Sequence, residues 1–225
     1  MSKVQLMKTP AFEGGGNSCH QWQETPAMMA LRAKTGLRIL MAVISSLFFL
    51  FIVSFLIRSQ IADWEHLSAP WRPLANPWPL WVNTGSLILA SIFLQWSKVS
   101  AGKGQARPAI DALVLAGIFS LVFIGGQLKV WQQLMALGYY VSTNPANSFF
   151  YLLTGLHALH LAAGLAAWCK TVMRAWHGVS VEQLSSSIEL CAMYWHYLLA
   201  LWFVLLALLT SSPETYAALA RLCGL

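Results

Sequence analysis

Residues 37–57 read LRILMAVISSLFFLFIVSFLI, and after Arg38 the chain meets no further charge until Arg58. This stretch decides the fold. At 1.5 Å of rise per residue, a helix of about 20 apolar residues crosses the ~30 Å hydrocarbon core of a bilayer. Hydrocarbon offers no hydrogen-bond partners, so each backbone N–H and C=O must be paired within its own segment, which selects a helix over an isolated strand. Ser45 and Ser46 fit such a helix, because a hydroxyl bonds back to a carbonyl one turn earlier.

Four more runs of the same character follow, at 80–96, 109–128, 149–169 and 188–209. Between the first and second, Pro70, Pro73, Pro77 and Pro79 are interleaved with Trp71, Trp78 and Trp81. Proline-rich backbone belongs at the surface, and tryptophan favours the headgroup layer. Lys98, Gly102, Lys103, Gly104 and Arg107 make a short basic connection, Tyr139-Tyr140 and Asn144-Pro145 the next boundary, and Ser211-Ser212-Pro213 the stop after the last run. The expected architecture is an all-α integral membrane protein with five transmembrane helices. It divides into a polar cytoplasmic tail at 1–35, a membrane domain at 36–211 and a short external tail at 212–225.

Composition points the same way. Of 225 residues, 57% are hydrophobic and only 10% charged, where a soluble domain carries roughly a quarter. A net charge of +6 would suggest an acidic partner for a soluble protein, but here the basic residues gather in loops and at span ends. That pattern reads as membrane topology, with no nucleic-acid partner. With the N-terminus inside, Lys3, Lys8, Arg32, Lys34, Arg38, Lys98, Lys103, Arg107, Lys170 and Arg174 are cytoplasmic. Only Arg58, Arg72, Lys129 and Arg221 then lie outside. Ten against four favours a cytoplasmic N-terminus and a periplasmic C-terminus. No apolar core with a small-residue cleavage site opens the chain, so the tail is expected to be retained. Cys19, Cys169, Cys191 and Cys223 are scattered without a CxxC pair, which indicates neither zinc nor a disulfide framework. Gly14, Gly15 and Gly16 follow no strand pattern and read as a linker.

Ionisable groups inside spans are the informative exceptions, since each costs roughly 2.5–3.5 kcal/mol on insertion scales. Four stand out: His157 and His160 in the fourth run, Glu189 and His196 in the fifth. Glu189 and His196, seven apart, share one helix face, and His157 and His160, three apart, share a sector of theirs. A hydrogen-bond network that fixes helix pairing is the favoured role, because polar groups in lipid need partners whatever else they do. A proton relay and haem or metal ligation from facing helices are the competing roles, although no metal-binding spacing such as HExxH is present. Asp111 suits the positive end of a helix dipole, and Lys129 can snorkel to the interface. Gly125-Gly126 and the pair Gly155 and Gly164 are expected to allow close helix packing. The eleven tryptophans read as interfacial or packing residues. No nucleophile with an adjacent base and no cofactor motif is present, so no catalytic, cofactor-binding or metal residue is assigned.

Two stretches carry a resemblance. Residues 147–164, NSFFYLLTGLHALHLAAG, resemble the FY-x-x-TG-x-H-x-x-H-x-x-x-G helix of haem–copper oxidase subunit III. Residues 189–202, ELCAMYWHYLLALW, resemble its last helix, a Glu followed by Tyr-Trp-His and then Trp. Pro79-Leu-Trp-Val-Asn-Thr84 is similar to the Asn-Thr opening of another helix of that family. With the span count, the likeness covers about residues 36–209 and is to the short, five-helix bacterial form. It implies a subunit without redox centres in the bacterial inner membrane. Its partners would be subunit I, which holds haem and copper, together with subunit II and membrane phospholipids. The implied work of the complex is O2 reduction to water coupled to proton translocation.

Two departures accompany the likeness. Many members carry a Glu shortly before the Phe-Phe pair of the first span, where this chain has Ile44-Ser45-Ser46-Leu47 before Phe48-Phe49. An Asp common three residues after the last-helix His is Leu199 here. Only His157, His160, Glu189 and His196 are therefore carried over, as structural polar residues. A subunit associated with nitric oxide reduction, a free-standing transporter and a membrane b-type cytochrome are the alternative functions.

Overall fold

A computed structural model describes residues 26–61, 78–142, 145–211 and 213–222. The glycine run at 14–16, Cys19, Cys223 and the proline-rich segment at 62–77 lie outside the described residues. Among those described, six helices occur and no strand: α1 (Pro26–Ser59), α2 (Trp78–Gly102), α3 (Ala106–Ala136), α4 (Pro145–Trp176), α5 (Val181–Thr210) and α6 (Pro213–Leu222). α1 starts at Pro26, inside the segment expected to be tail. Proline also opens α4 and α6, where its missing N–H would be an orphan in any case and its fixed φ suits the first turn.

α1, α3, α4 and α5 are long and apolar enough to cross a membrane. α2, at 25 residues, spans about 37 Å at 1.5 Å per residue. It falls outside that group because Asn83, Thr84, Ser86, Ser91, Gln95 and Ser97 dilute its apolar run.

Two turns set the neighbours. After α2, Gly104 takes φ 71°, and Gln105 N–H donates to Ser100 O at 3.0 Å. After α4, Gly178 takes φ 78°, and Val179 N–H donates to Arg174 O at 3.3 Å. A left-handed residue just past the helix end lets the chain reverse while covering the last carbonyls, and glycine does so without a Cβ penalty. α2 therefore returns as α3, and α4 as α5.

α2 packs chiefly on α3, α5 on α2 and α4, and α3 on α4. The four close into a ring around a common interior. Trp195 and Trp202, each 1% exposed, are the largest side chains buried in it, with Phe123, Leu113 and Leu153 beside them at 0%. α1 lies outside the ring, against α5, α6 and α4. Phe55 meets Phe149 of α4 at 5.6 Å and Tyr216 of α6 at 5.3 Å, both edge-on. The Tyr216 hydroxyl donates to Leu208 O at 2.8 Å, and burial pushes its phenol up to about 12.

Candidate functional site

The polar side chains of the long helices contact neighbouring helices in distinct ways. Glu189, on the first turns of α5, accepts from Lys34 Nζ of α1 at 2.7 Å and lies 3.9 Å from Lys98 Nζ of α2. One carboxylate thus ties three helices at one end of the bundle. Seven residues on, His196 hydrogen-bonds through Nδ1 with the Ser91 hydroxyl and through Nε2 with Gln95 Oε1 at 3.2 Å. Ser91 and Lys98 are also seven apart, so an antiparallel seam of α2 meets the shared Glu189–His196 face of α5.

His160 lies elsewhere. Its Nδ1 bonds to Leu156 O one turn back at 2.7 Å, and its ring meets Phe48 of α1 at 5.7 Å. His157 is fully buried between Trp202 of α5 at 5.1 Å and Phe123 of α3 at 5.9 Å, and neither of its ring nitrogens has a hydrogen-bond partner within the chain. No hydrogen bond or ion pair joins any two of the four residues. His160 turns toward α1 and His196 toward α2, so the two imidazoles do not converge on one point. Among the described residues, no three His, Cys, Asp or Glu side chains form a group able to hold a metal.

Tryptophan also serves as a cross-helix donor, beyond the interfacial and packing roles expected of it. Four indole N–H groups donate across helices: Trp131 to Thr154 Oγ1 at 3.3 Å, Trp168 to Leu113 O at 2.8 Å, Trp195 to Ser120 Oγ at 2.8 Å and Trp202 to Thr84 Oγ1 at 2.9 Å. In hydrocarbon an indole donor needs a partner. The signal was the position of Trp195 and Trp202 well inside a span, away from the headgroup layer. Of the glycines expected to allow close approach, Gly126 lies against the Asn83 side chain and Gly164 against the rings of Tyr194 and Trp195. Gly125 has open space, and Gly155 has only ordinary contact room beside Trp131. Gly117, beneath the Trp168 ring, was not singled out.

The ion-paired junction gives a measurable expectation. Glu189→Gln should lower stability by about 1 kcal/mol, because the carboxylate is partly exposed and both lysines can reach toward the interface once released. Thermal melts of Glu189→Gln, Lys34→Met and the double variant check this, and the drops should fall short of additive.

Against known proteins, the profile described as cytochrome c oxidase subunit III matches residues 20–210. A cytochrome c oxidase subunit 3 of Thermostichus vulcanus is 28% identical over 129 residues, which cover 57% of this chain and 63% of that protein. A cytochrome bo(3) ubiquinol oxidase subunit 3 of Pseudomonas aeruginosa is 28% identical over 121 residues, covering 54% and 58%. A cytochrome c oxidase subunit 3 of Glycine max is 26% identical over 152 residues, covering 65% and 56%. The matches span between 56 and 63% of the length of these relatives.

Proposed function

The chain belongs to the cytochrome c oxidase subunit III family, and from that premise we propose that it serves as the non-catalytic third subunit of a respiratory haem–copper oxidase. The complex reduces O2 to water and translocates protons in the bacterial inner membrane. Haem and copper sit in subunit I, and subunit II completes the partners. Whether electrons come from cytochrome c or from quinol is set by those partners; the relatives above include both kinds. One observation carries the reading: the family match covers α2 to α5 whole and α1 throughout.

In this reading all five long helices cross the bilayer within 36–211, with the N-terminus cytoplasmic and the C-terminus periplasmic. α2 is the fifth span, its polar side chains turned to α3 and α5. His157, His160, Glu189 and His196 serve helix packing and take no catalytic part. Phospholipid occupies a cleft of about 330 Å³ between α1, α4 and α5, where Leu37, Leu40, Ala163 and Leu190 suit an acyl chain and Lys170 suits a phosphate.

The work of such a subunit is mechanical. It buries a helical face against the catalytic subunit and holds lipid beside it. An oxidase assembled without this chain should keep its haem spectrum yet lose activity sooner during continuous turnover than the whole complex. Equal working lifetimes in the two preparations would remove the proposal.

A further inference from the structure

Two buried polar side chains have hydrogen-bonding capacity that no protein atom meets. Gln127 is 2% exposed and His157 0%; Gln127 Nε2 and both His157 ring nitrogens have no partner within the chain. Their surroundings place them at one junction. Asn83 Nδ2 donates to Gln127 Oε1 at 3.3 Å, and the next residue, Thr84, accepts from the Trp202 indole at 2.9 Å. Trp202 stands 5.1 Å from His157 and 4.9 Å from Phe123, and Phe123 is one turn from Gln127 on α3. The contacts close a loop through α2, α3, α4 and α5.

The antiparallel register of α3 and α4 gives the same placement. Phe123 meets His157, and Trp131 meets Thr154. Gln127 lies midway between those two α3 residues, one turn from each, so it faces the level of Thr154 and His157.

We infer that this four-helix junction is an internal water-binding site, with Gln127 and His157 as its anchors. A neutral imidazole has one donor and one acceptor nitrogen, and Gln127 Nε2 is a donor. Water accepts from Gln127 Nε2 and donates to the unprotonated His157 nitrogen. The Thr84 and Thr154 hydroxyls, which each donate to their own helix and accept from an indole, retain a lone pair for its second proton. Buried water typically makes about three such bonds to polar groups left over by the protein, and an unmet buried donor or acceptor costs about 1–3 kcal/mol otherwise.

An outer groove lies beside the junction. A groove of about 1120 Å³ between α2 and α3 is lined by Asn83, Ser86, Gly126 and Lys129 together with apolar side chains such as Val82 and Val122. Asn83 is the residue that hydrogen-bonds Gln127, so its side chain separates groove from junction.

The test uses the full chain in lipid nanodiscs with histidine labelled by nitrogen-15, observed by proton-detected solid-state NMR. The expected result is transfer from water protons to a ring nitrogen that persists when mobile water is filtered out. His157→Phe identifies the signal by removing it, and Gln127→Met abolishes the transfer while leaving the other histidine signals in place. Absence of water transfer to His157 in the unsubstituted chain overturns the inference without recourse to any variant. Melting temperatures give a second measurement. The drops caused by His157→Phe and Gln127→Met alone should sum to more than the drop of the double variant, since either change already dislodges the shared water. Additive drops overturn the shared site.

Discussion

Trp202→Ala is expected to destabilise the protein by about 3 kcal/mol, the largest loss of any single truncation. Large-to-small changes at buried tryptophan cost roughly 3–5 kcal/mol, combining lost transfer energy with the cavity left behind. Between helices in lipid the transfer part shrinks, because hydrocarbon outside is as apolar as the interior. That moves the estimate to the lower end. The cavity part is large here: Trp202 touches Phe123 edge-on at 4.9 Å and His157 at 5.1 Å, and reaches Thr84 on a third helix. Trp202→Phe separates ring from donor. It keeps most of the packing and loses one hydrogen bond, about 1 kcal/mol. Detergent unfolding curves for both variants, beside Trp96→Ala, provide the measurement. Trp96 is 56% exposed, so its truncation should change little. If Trp202→Ala unfolds no sooner than Trp96→Ala, the four-helix ring does not close as described.

The second large effect comes from adding one carbon. A Cβ at position 117 would overlap the six-membered ring of Trp168. That ring has little room to retreat, because its N–H is held by Leu113 O one turn earlier on the same helix at 2.8 Å. Gly117→Ala must therefore break that bond or push α3 from α4. Overpacking of this kind costs about 1–3 kcal/mol. The comparison that isolates the clash is Gly85→Ala, where an added Cβ meets nothing within 4 Å. There the better helix propensity of alanine, worth up to about 1 kcal/mol, should hold stability level or raise it. Opposite signs in the two melts are the expected result; equal signs would show that the α3–α4 contact is looser than its geometry.

The apolar runs were legible in the sequence because hydrocarbon imposes a simple rule on composition. Each expected run lies inside a helix, and the helices are longer: 109–128 became Ala106–Ala136, and 37–57 became Pro26–Ser59. Hydropathy marks where lipid is, whereas a helix continues until its hydrogen bonds are stopped. Gly104 and Gly178 supply such stops.

The partners of the polar residues were less legible. Periodicity correctly put Glu189 and His196 on one face of α5, but it carries no information about which helix that face meets. His196 turned to α2, and Glu189 found Lys34 far back in the chain. Those pairings depend on helix rotation and on the order of the ring, which only the assembled packing determines.

α1 attaches to the rest at three levels: Lys34 to Glu189, the Ser45 hydroxyl to Tyr197 at 2.9 Å, and Phe55 to Tyr216. Those partners are on α5 and α6, and Phe48 and Phe55 also meet His160 and Phe149 of α4. During synthesis α1 therefore precedes all of the helices it docks on, α4, α5 and α6. It must persist without those contacts until α4 and the helices after it have been made. Its 18-residue stretch is the most apolar of the four membrane-length helices and the least covered by protein. Autonomy in the nascent state is what such a composition provides, and α1 docks only after the helices that cover it have been made.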